Sequence, residues 1–282
     1  MTDLVPKVLA GGFTFPEGPR WRDGKLWFSD FYAHRVLTVD PDGKVEEVVK
    51  VPQQPSGLGF LPDGRLLIVS MLDRKLLRLD GSKLTEVADL SAHATGPCND
   101  MVVDAQGRAY VGNFGSNHHG GEPPRAACLV RVDPDGTVTK VADDLEFPNG
   151  TVIAPDGKTL IVGETRGNRL TAFDIAPDGS LSNRRIFAAV DGMFPDGICL
   201  DADGGIWVAD PRGRRTLRVE EGGRVTHSID TAPRGCYACM LGGDDGKTLF
   251  ILTNSGSGPA MAEKADGRIE IVRVDVPHAG LP

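Results

Sequence analysis

Four short segments of this chain set a side-chain oxygen in the same surroundings. Phe15-Pro16-Glu17-Gly18, Phe147-Pro148-Asn149-Gly150 and Phe194-Pro195-Asp196-Gly197 repeat almost unchanged, and Pro97-Cys98-Asn99-Asp100 is a looser copy. The residue that varies always offers an oxygen: Glu17, Asn99, Asn149 or Asp196. A turn has no need of that restriction. Brought together, these two carboxylates and two carboxamides form an all-oxygen nest. Such a nest suits a hard divalent cation, Ca2+ first, because Ca2+ accepts about six to eight oxygens in loose geometry. Mg2+, Mn2+ and Zn2+ are the other candidates. The alternative is a polar network without a cation, in which one of two close carboxylates must stay protonated.

Such convergence requires segments far apart in sequence to meet, and the turns predict how. The glycines of Asp23-Gly24, Asp63-Gly64, Gln106-Gly107, Asp156-Gly157, Asp203-Gly204 and Asp245-Gly246 follow one another at intervals of 40 to 50 residues. Asp-Gly between apolar runs predicts a type I′ hairpin turn, which needs positive φ. A strand is expected after each: Lys25–Ser29, Arg65–Ser70, Arg108–Gly112, Lys158–Gly163, Gly205–Ala209 and Lys247–Thr253. Third strands alternate at Val36–Asp40, Leu76–Asp80 and Leu129–Asp133, and fourth strands follow, as at Lys44–Val51 and Arg224–Asp230. Four short antiparallel strands at this period predict a β-propeller blade. The expected fold is therefore all-β, a six-bladed β-propeller forming a single domain over residues 1–282. The last unit runs out after Ile269–Val276, while Leu4–Ala10 reads as a fourth strand with no unit before it. The N-terminal strand is thus expected to complete the last blade, closing the ring and removing an exposed edge.

Up-and-down strand order then puts Glu17, Ser56, Asn99, Asn149, Asp196 and Ala238 at the start of the six inner strands, on the face opposite the Asp-Gly turns. The two long loops, Asn113–Ala127 and Asn254–Arg268, fall on that same face, where a binding mouth is expected. His118 and His119 lie in the first loop with Glu122 and Arg125. These histidines either cover the mouth and contact substrate, with Asn113 as a further expected contact, or simply face water. Asp30, Asn113, Glu164, Asp210 and Asn254 end the second strands and either orient ligands or satisfy turns.

A chain that is 40% hydrophobic and 25% charged is that of a globular protein. No apolar run approaches the roughly 20 residues of a membrane span, and Met1–Ala10 lacks the apolar core of a secretory signal. A net charge of −8 argues against nucleic acid as a partner, and Arg212, Arg214 and Arg215 read as a solvated loop. Five cysteines, scattered apart from Cys236 and Cys239, suit a reducing compartment, so a cytoplasmic location is expected. Cys236 and Cys239 should point to opposite faces of a strand and be structural. A Gly-X-Ser-X-Gly elbow is absent from the sequence. Aromatic content of 6% with no aromatic run gives no sign of a protein partner.

The repeats and the residues Glu17, Asn99, Asn149 and Asp196 resemble the gluconolactonase, regucalcin (senescence marker protein) and luciferin-regenerating-enzyme family. The resemblance runs from Phe15 to Asp275 and is most specific at Phe15-Pro16-Glu17-Gly18-Pro19, Asn99-Asp100, Phe147-Pro148-Asn149-Gly150 and Phe194-Pro195-Asp196-Gly197-Ile198. It implies a six-bladed propeller binding a divalent metal, often calcium, through Glu17, Asn149 and Asp196, with Asn99 a further ligand or a border of the substrate. It also implies hydrolysis of a lactone or a phosphoester, with Asp196 as general base or nucleophile. One place departs from the pattern. Members that act on sugar lactones carry an arginine two residues before the asparagine matching Asn99, and here that residue is Pro97. The expected activity is metal-dependent hydrolysis of a small lactone or ester. Its competitors are a calcium-binding propeller without catalysis, a scaffold for protein partners, and a lyase or synthase of the strictosidine-synthase kind.

Overall fold

The computed structural model describes residues 4–117 and 120–282. Six four-stranded antiparallel sheets follow one another as the blades of a propeller. Their inner strands are Pro16–Arg22, Pro55–Phe60, Cys98–Val103, Pro148–Ile153, Ile198–Leu200 and Gly235–Gly242. The ring closes as expected, but in a shifted register. The closing strand is Lys7–Phe13 rather than Leu4–Ala10, and it pairs with Gly267–Arg273, Lys7 facing Ile271.

The turns explain a second shift. At Asp23-Gly24 both residues are left-handed (φ 51° and 73°), Arg22 pairs directly with Lys25, and the strand begins at Lys25 as expected. In the other five turns only the glycine has positive φ. At Leu61, Asp104 and Asp201 the carbonyl accepts from the N–H of the turn glycine and the amide donates to the carbonyl of the residue after that glycine. One more residue is spent closing the turn, so those second strands start one residue late, at Leu66, Ala109, Thr159, Ile206 and Thr248. Asp63 contributes through its side chain instead, Oδ1 accepting from Arg65 N–H at 3.0 Å.

Apolar side chains alternate inward from neighbouring sheets and fill the spaces between blades. The largest cluster joins Phe28, Trp207, Phe250 and Ile251, all at most 2% exposed. Cys236 and Cys239 do diverge: Cys236 Sγ lies 3.1 Å from Thr216 Oγ1, and Cys239 Sγ lies 4.0 Å from Cys199 Sγ. Two features were not anticipated. A short helix, Met261–Lys264, sits within the loop expected at Asn254–Arg268. The C-terminal residues cross under blades four and five, bridging Ile153 to Leu281 and Asp201 to His278. Among the described residues, no helix is long and apolar enough to cross a membrane.

The inner strands approach one another more closely than side chains allow. A Cβ on Gly57 would lie 2.5 Å from Met101 N, and one on Gly150 would lie 2.4 Å from Ile198 N. This is why glycine follows Asn149, and the third blade departs from the rule with Asp100. Its Oδ1 accepts from Arg20 Nη2 at 2.7 Å, while Arg20 Nε donates to Leu58 O at 2.7 Å. Arg20 thereby ties the first three inner strands together beneath the candidate site.

Candidate active site

Glu17, Asn99, Asn149 and Asp196 line one cavity of about 640 Å³, a volume within the usual range for small-molecule sites. Asn99 is 5% exposed and Asn149 6%, while the two carboxylates keep part of their surface open to the lumen. Ser56, at the same position of the second blade, donates to Asn99 Oδ1 at 3.3 Å. Asn149 Nδ2 donates to Thr165 Oγ1 at 3.2 Å, and that hydroxyl donates to Pro195 O at 2.7 Å. The asparagine of blade four is thus held by the segment leading to Asp196.

Each part of the repeated tetrapeptide has a local role. The proline lacks a donor and fixes its own φ, and before it Phe15 and Phe147 form part of the wall. Phe147 sits at φ 64°, a left-handed conformation rare for a bulky residue. It is held there by Thr165 N–H on its carbonyl at 3.0 Å and by stacking on Phe114 with centroids 4.5 Å apart.

The residues ending the second strands hold these segments in place. Asp30 Oδ1 accepts from Thr14 N–H at 2.8 Å and Phe15 N–H at 3.0 Å, and its other oxygen takes Arg35. Glu164 Oε2 accepts from Glu146 N–H at 2.7 Å and is clasped by Arg169. Asp210 Oδ1 accepts from Phe194 N–H at 3.3 Å, and Oδ2 takes Arg215 Nε at 2.9 Å. One acidic residue therefore fixes the approach to each of three inner strands, with an arginine five residues on as its counter-ion.

Burial pushes the Glu164 carboxyl upward. Donation from Arg169, Thr171 and the Glu146 amide, together with the Arg169 charge, outweighs that and holds it below its usual range. A depressed carboxyl contributes stability above the unfolded value near 4.5, and that stability is lost as pH falls through the folded value. Glu164→Gln should cost about 2 kcal/mol at pH 7. It should also weaken the loss of stability between pH 5 and 3 measured by denaturant titration, and an unaltered acid limb would refute the assignment.

The two lumen carboxyls behave oppositely. Burial raises Glu17 well above its usual value and the neighbouring Asp196 charge adds to this, with Gly18 N–H and Arg20 opposing. Burial likewise raises Asp196, against hydrogen bonding from Asn149, with Asp100 and Asp210 adding repulsion. Two carboxyls pressed upward by burial and neighbouring acids are suited to a cation. Among the described residues, no three His, Cys, Asp or Glu side chains gather as a metal cluster. The donors here are two carboxylates supplemented by amide oxygens, a hard all-oxygen set.

Sequence reasoning also led astray. Asn113, expected to touch substrate, is fully buried away from the cavity lining: Nδ2 donates to Cys128 O at 3.0 Å and Oδ1 accepts from Gly115 N–H at 2.9 Å. It shapes the root of its loop. His118 and His119 lie outside the described residues. The two long loops expected at the mouth do line the cavity, through Asn117, Ser257, Pro259 and Ala262; the rest of the wall was not anticipated, and a repeated offset carries it. The residues one and two places after the second strands line the cavity: Phe31 and Tyr32, Met71 and Leu72, Thr165 and Arg166, Pro211 and Arg212. Tyr237 adds to this wall, and burial pushes both tyrosines up to about 12, so they remain neutral donors at physiological pH.

Comparison with known proteins gives a consistent picture. Residues 15–255 match the SMP-30/Gluconolactonase/LRE-like region. The chain is 29% identical to 6-deoxy-6-sulfogluconolactonase of Pseudomonas putida, covering 100% of this chain and 99% of that one. It is 27% identical to pentonolactonase XacC of Haloferax volcanii, covering 99% and 96%. The crystal structure of regucalcin from Agrobacterium tumefaciens, a calcium-binding protein, shares the fold with a TM-score of 0.83 at 21% identity, covering 99% of this chain and 97% of that one.

Proposed function

The chain belongs to the SMP-30/gluconolactonase/LRE-like family, and we propose that it is a metal-dependent hydrolase of a sugar-acid lactone. The observation that carries this reading is the convergence of Glu17, Asn99, Asn149 and Asp196 on one cavity, with both carboxyls raised by burial. Lactonases among its relatives support the reaction class. In this reading Glu17, Asn149, Asp196 and Asn99 hold a divalent cation, Ca2+ by preference for an all-oxygen set. When bound, the cation supplies Lewis-acid polarisation of the lactone carbonyl.

The side chains supply the rest. Asp196 removes a proton from water as the water oxygen bonds to the carbonyl carbon, or attacks that carbon itself to give an acyl intermediate that water opens. Either way the ring C–O bond breaks and the ring oxygen takes up a proton, yielding the open hydroxy acid. Tyr32 and Tyr237, protonated throughout neutral pH, offer hydroxyl donors from the wall. Asp30 and Asp210 act at one remove by fixing the backbone before Glu17 and Asp196.

The test is a panel of aldonolactones assayed by acid release before chelation, after it, and after addition of Ca2+. Chelation is expected to remove at least about 99% of turnover, as loss of a Lewis acid worth several kcal/mol requires, and Ca2+ to restore it. Full activity in a metal-free sample would overturn the metal assignment. Ion-dependent melting without hydrolysis of any lactone would leave a binding protein instead.

A further inference from the structure

Beyond the reacting centre, blades four and five each present an arginine at the same place, two residues after the acidic end of the second strand: Arg166 after Glu164, and Arg212 after Asp210. Both line the cavity. Their near neighbours differ in kind, since Arg169 and Arg215 are spent on Glu164 and Asp210. Among the described residues, Arg166 and Arg212 make no ion pair, and the buried Arg166 Nη1 has no hydrogen-bond partner. Each guanidinium instead lies over a phenylalanine ring, Arg166 over Phe147 at 5.0 Å and Arg212 over Phe194 at 4.3 Å. A contact of this kind with a ring does not use up the N–H donors of a guanidinium, the groups that read carboxylate or phosphate in a bidentate manner.

Two like charges on one wall repel, and the repulsion reaches Arg166, where burial first and Arg212 second disfavour the charged form. A buried donor without a partner carries a desolvation penalty. An oxyanion in the cavity relieves both. Resting on the lactonase reading, we infer that the substrate carries an anionic substituent (a carboxylate, sulfonate or phosphate remote from the lactone carbonyl) held between Arg166 and Arg212. The position suits that role. Arg166 follows Thr165, whose hydroxyl holds Asn149, so the anion site and the reacting centre share a wall of blade four.

The same arginines could instead grip the carboxylate that every opened lactone acquires, and the probes separate the two. Binding of gluconate, glucarate and 6-phosphogluconate to the metal-loaded protein is measured by calorimetry at low ionic strength, for wild type, Arg166→Gln and Arg212→Gln. Glucarate or 6-phosphogluconate should bind about 10- to 100-fold tighter than gluconate, the range for a charge-assisted contact. That advantage should shrink to within about threefold in either variant and weaken with added salt. Circular dichroism melting checks that the variants fold, and Arg212, being exposed, is the safer of the two. Equal affinity of the three acids for wild type, including no measurable binding of any, overturns the inference, and so does an advantage that survives both substitutions. Discrimination among the acids without lactone hydrolysis would remove the proposed reaction and leave the anion site standing; hydrolysis without discrimination would do the reverse.

Discussion

Asp196→Asn should lower kcat/KM for lactone hydrolysis by about a thousandfold or more, the scale on which a positioned base or nucleophile acts. The substitution keeps the volume and one oxygen capable of coordination, so the fold and the cavity remain. What it removes is the group able to take a proton or bond to carbon. The same change should make the cation-free protein more stable at neutral pH. The sign follows from linkage. The folded-state values of Asp196 and Glu17 lie above the ordinary 3.8 and 4.5, so the cation-free fold loses stability as pH rises from that range through the raised values. An asparagine takes one charge out of that pair. In chelator at pH 7.5 the variant should melt a few degrees higher than wild type, roughly 2 °C or more for each kcal/mol relieved. With Ca2+ present the order should reverse, because wild type gains more from the ion. Retention of a tenth of wild-type turnover would exclude Asp196 from the chemistry. A lower melting temperature in chelator would show that the lumen carboxyls are not in conflict.

How much of this was readable beforehand differs by element. The blades were legible because Asp-Gly turns and alternating strands are local signals, repeated until their period could be counted. Turn chemistry was right at Asp23-Gly24 and wrong at Asp63-Gly64, because an aspartate can serve a turn through its carboxylate with φ still negative. The closing strand slipped from Leu4–Ala10 to Lys7–Phe13 because it is the outermost strand, mostly exposed, and its pattern carries little of the alternation that burial imposes.

The convergence of Glu17, Asn99, Asn149 and Asp196 was visible only because the tetrapeptide recurs. A single copy would have passed for a turn. The arginines show the opposite case. Arg212 and Arg215 are three residues apart and were read as one solvated cluster, yet Arg215 turns to Asp210 while Arg212 covers Phe194 at the cavity. Which way each side chain turns depends on a carboxylate five residues before it and a ring eighteen residues before it. Charge density along the chain holds no information of that kind. Asn113 failed for the same reason: its amide is consumed by Cys128 O and Gly115 N–H, partners that only the folded loop supplies.

Gly150→Ala should be among the most destabilising single-methyl additions possible in this chain. Its φ is not left-handed, so space rather than conformation forbids the side chain. The added Cβ would meet Ile198 N at 2.4 Å, Asp196 O at 2.7 Å and Gly197 Cα at 2.8 Å, all backbone atoms that cannot rotate aside. Relief requires the inner strands of blades four and five to separate, which breaks the Gly150 N–H bond to Asp196 O at 3.1 Å. Overpacking of ordinary side chains costs about 1–3 kcal/mol, and rigid backbone should put this case at or beyond the upper end. A fall in melting temperature of roughly 6 °C or more is expected, with loss of turnover because Asp196 moves with its carbonyl. Gly11→Ala supplies the contrast. There the nearest atom is Arg268 Cγ at 3.5 Å, an ordinary contact, and the alanine should leave stability unchanged or raise it by about 0.4–1 kcal/mol through the unfolded chain. One methyl group thus carries opposite signs at two glycines of one molecule, decided by whether a neighbouring strand lies across it. If Gly150→Ala instead melted with wild type and turned over substrate normally, the inner strands would not be in the contact that brings Asn149 and Asp196 to the same lumen.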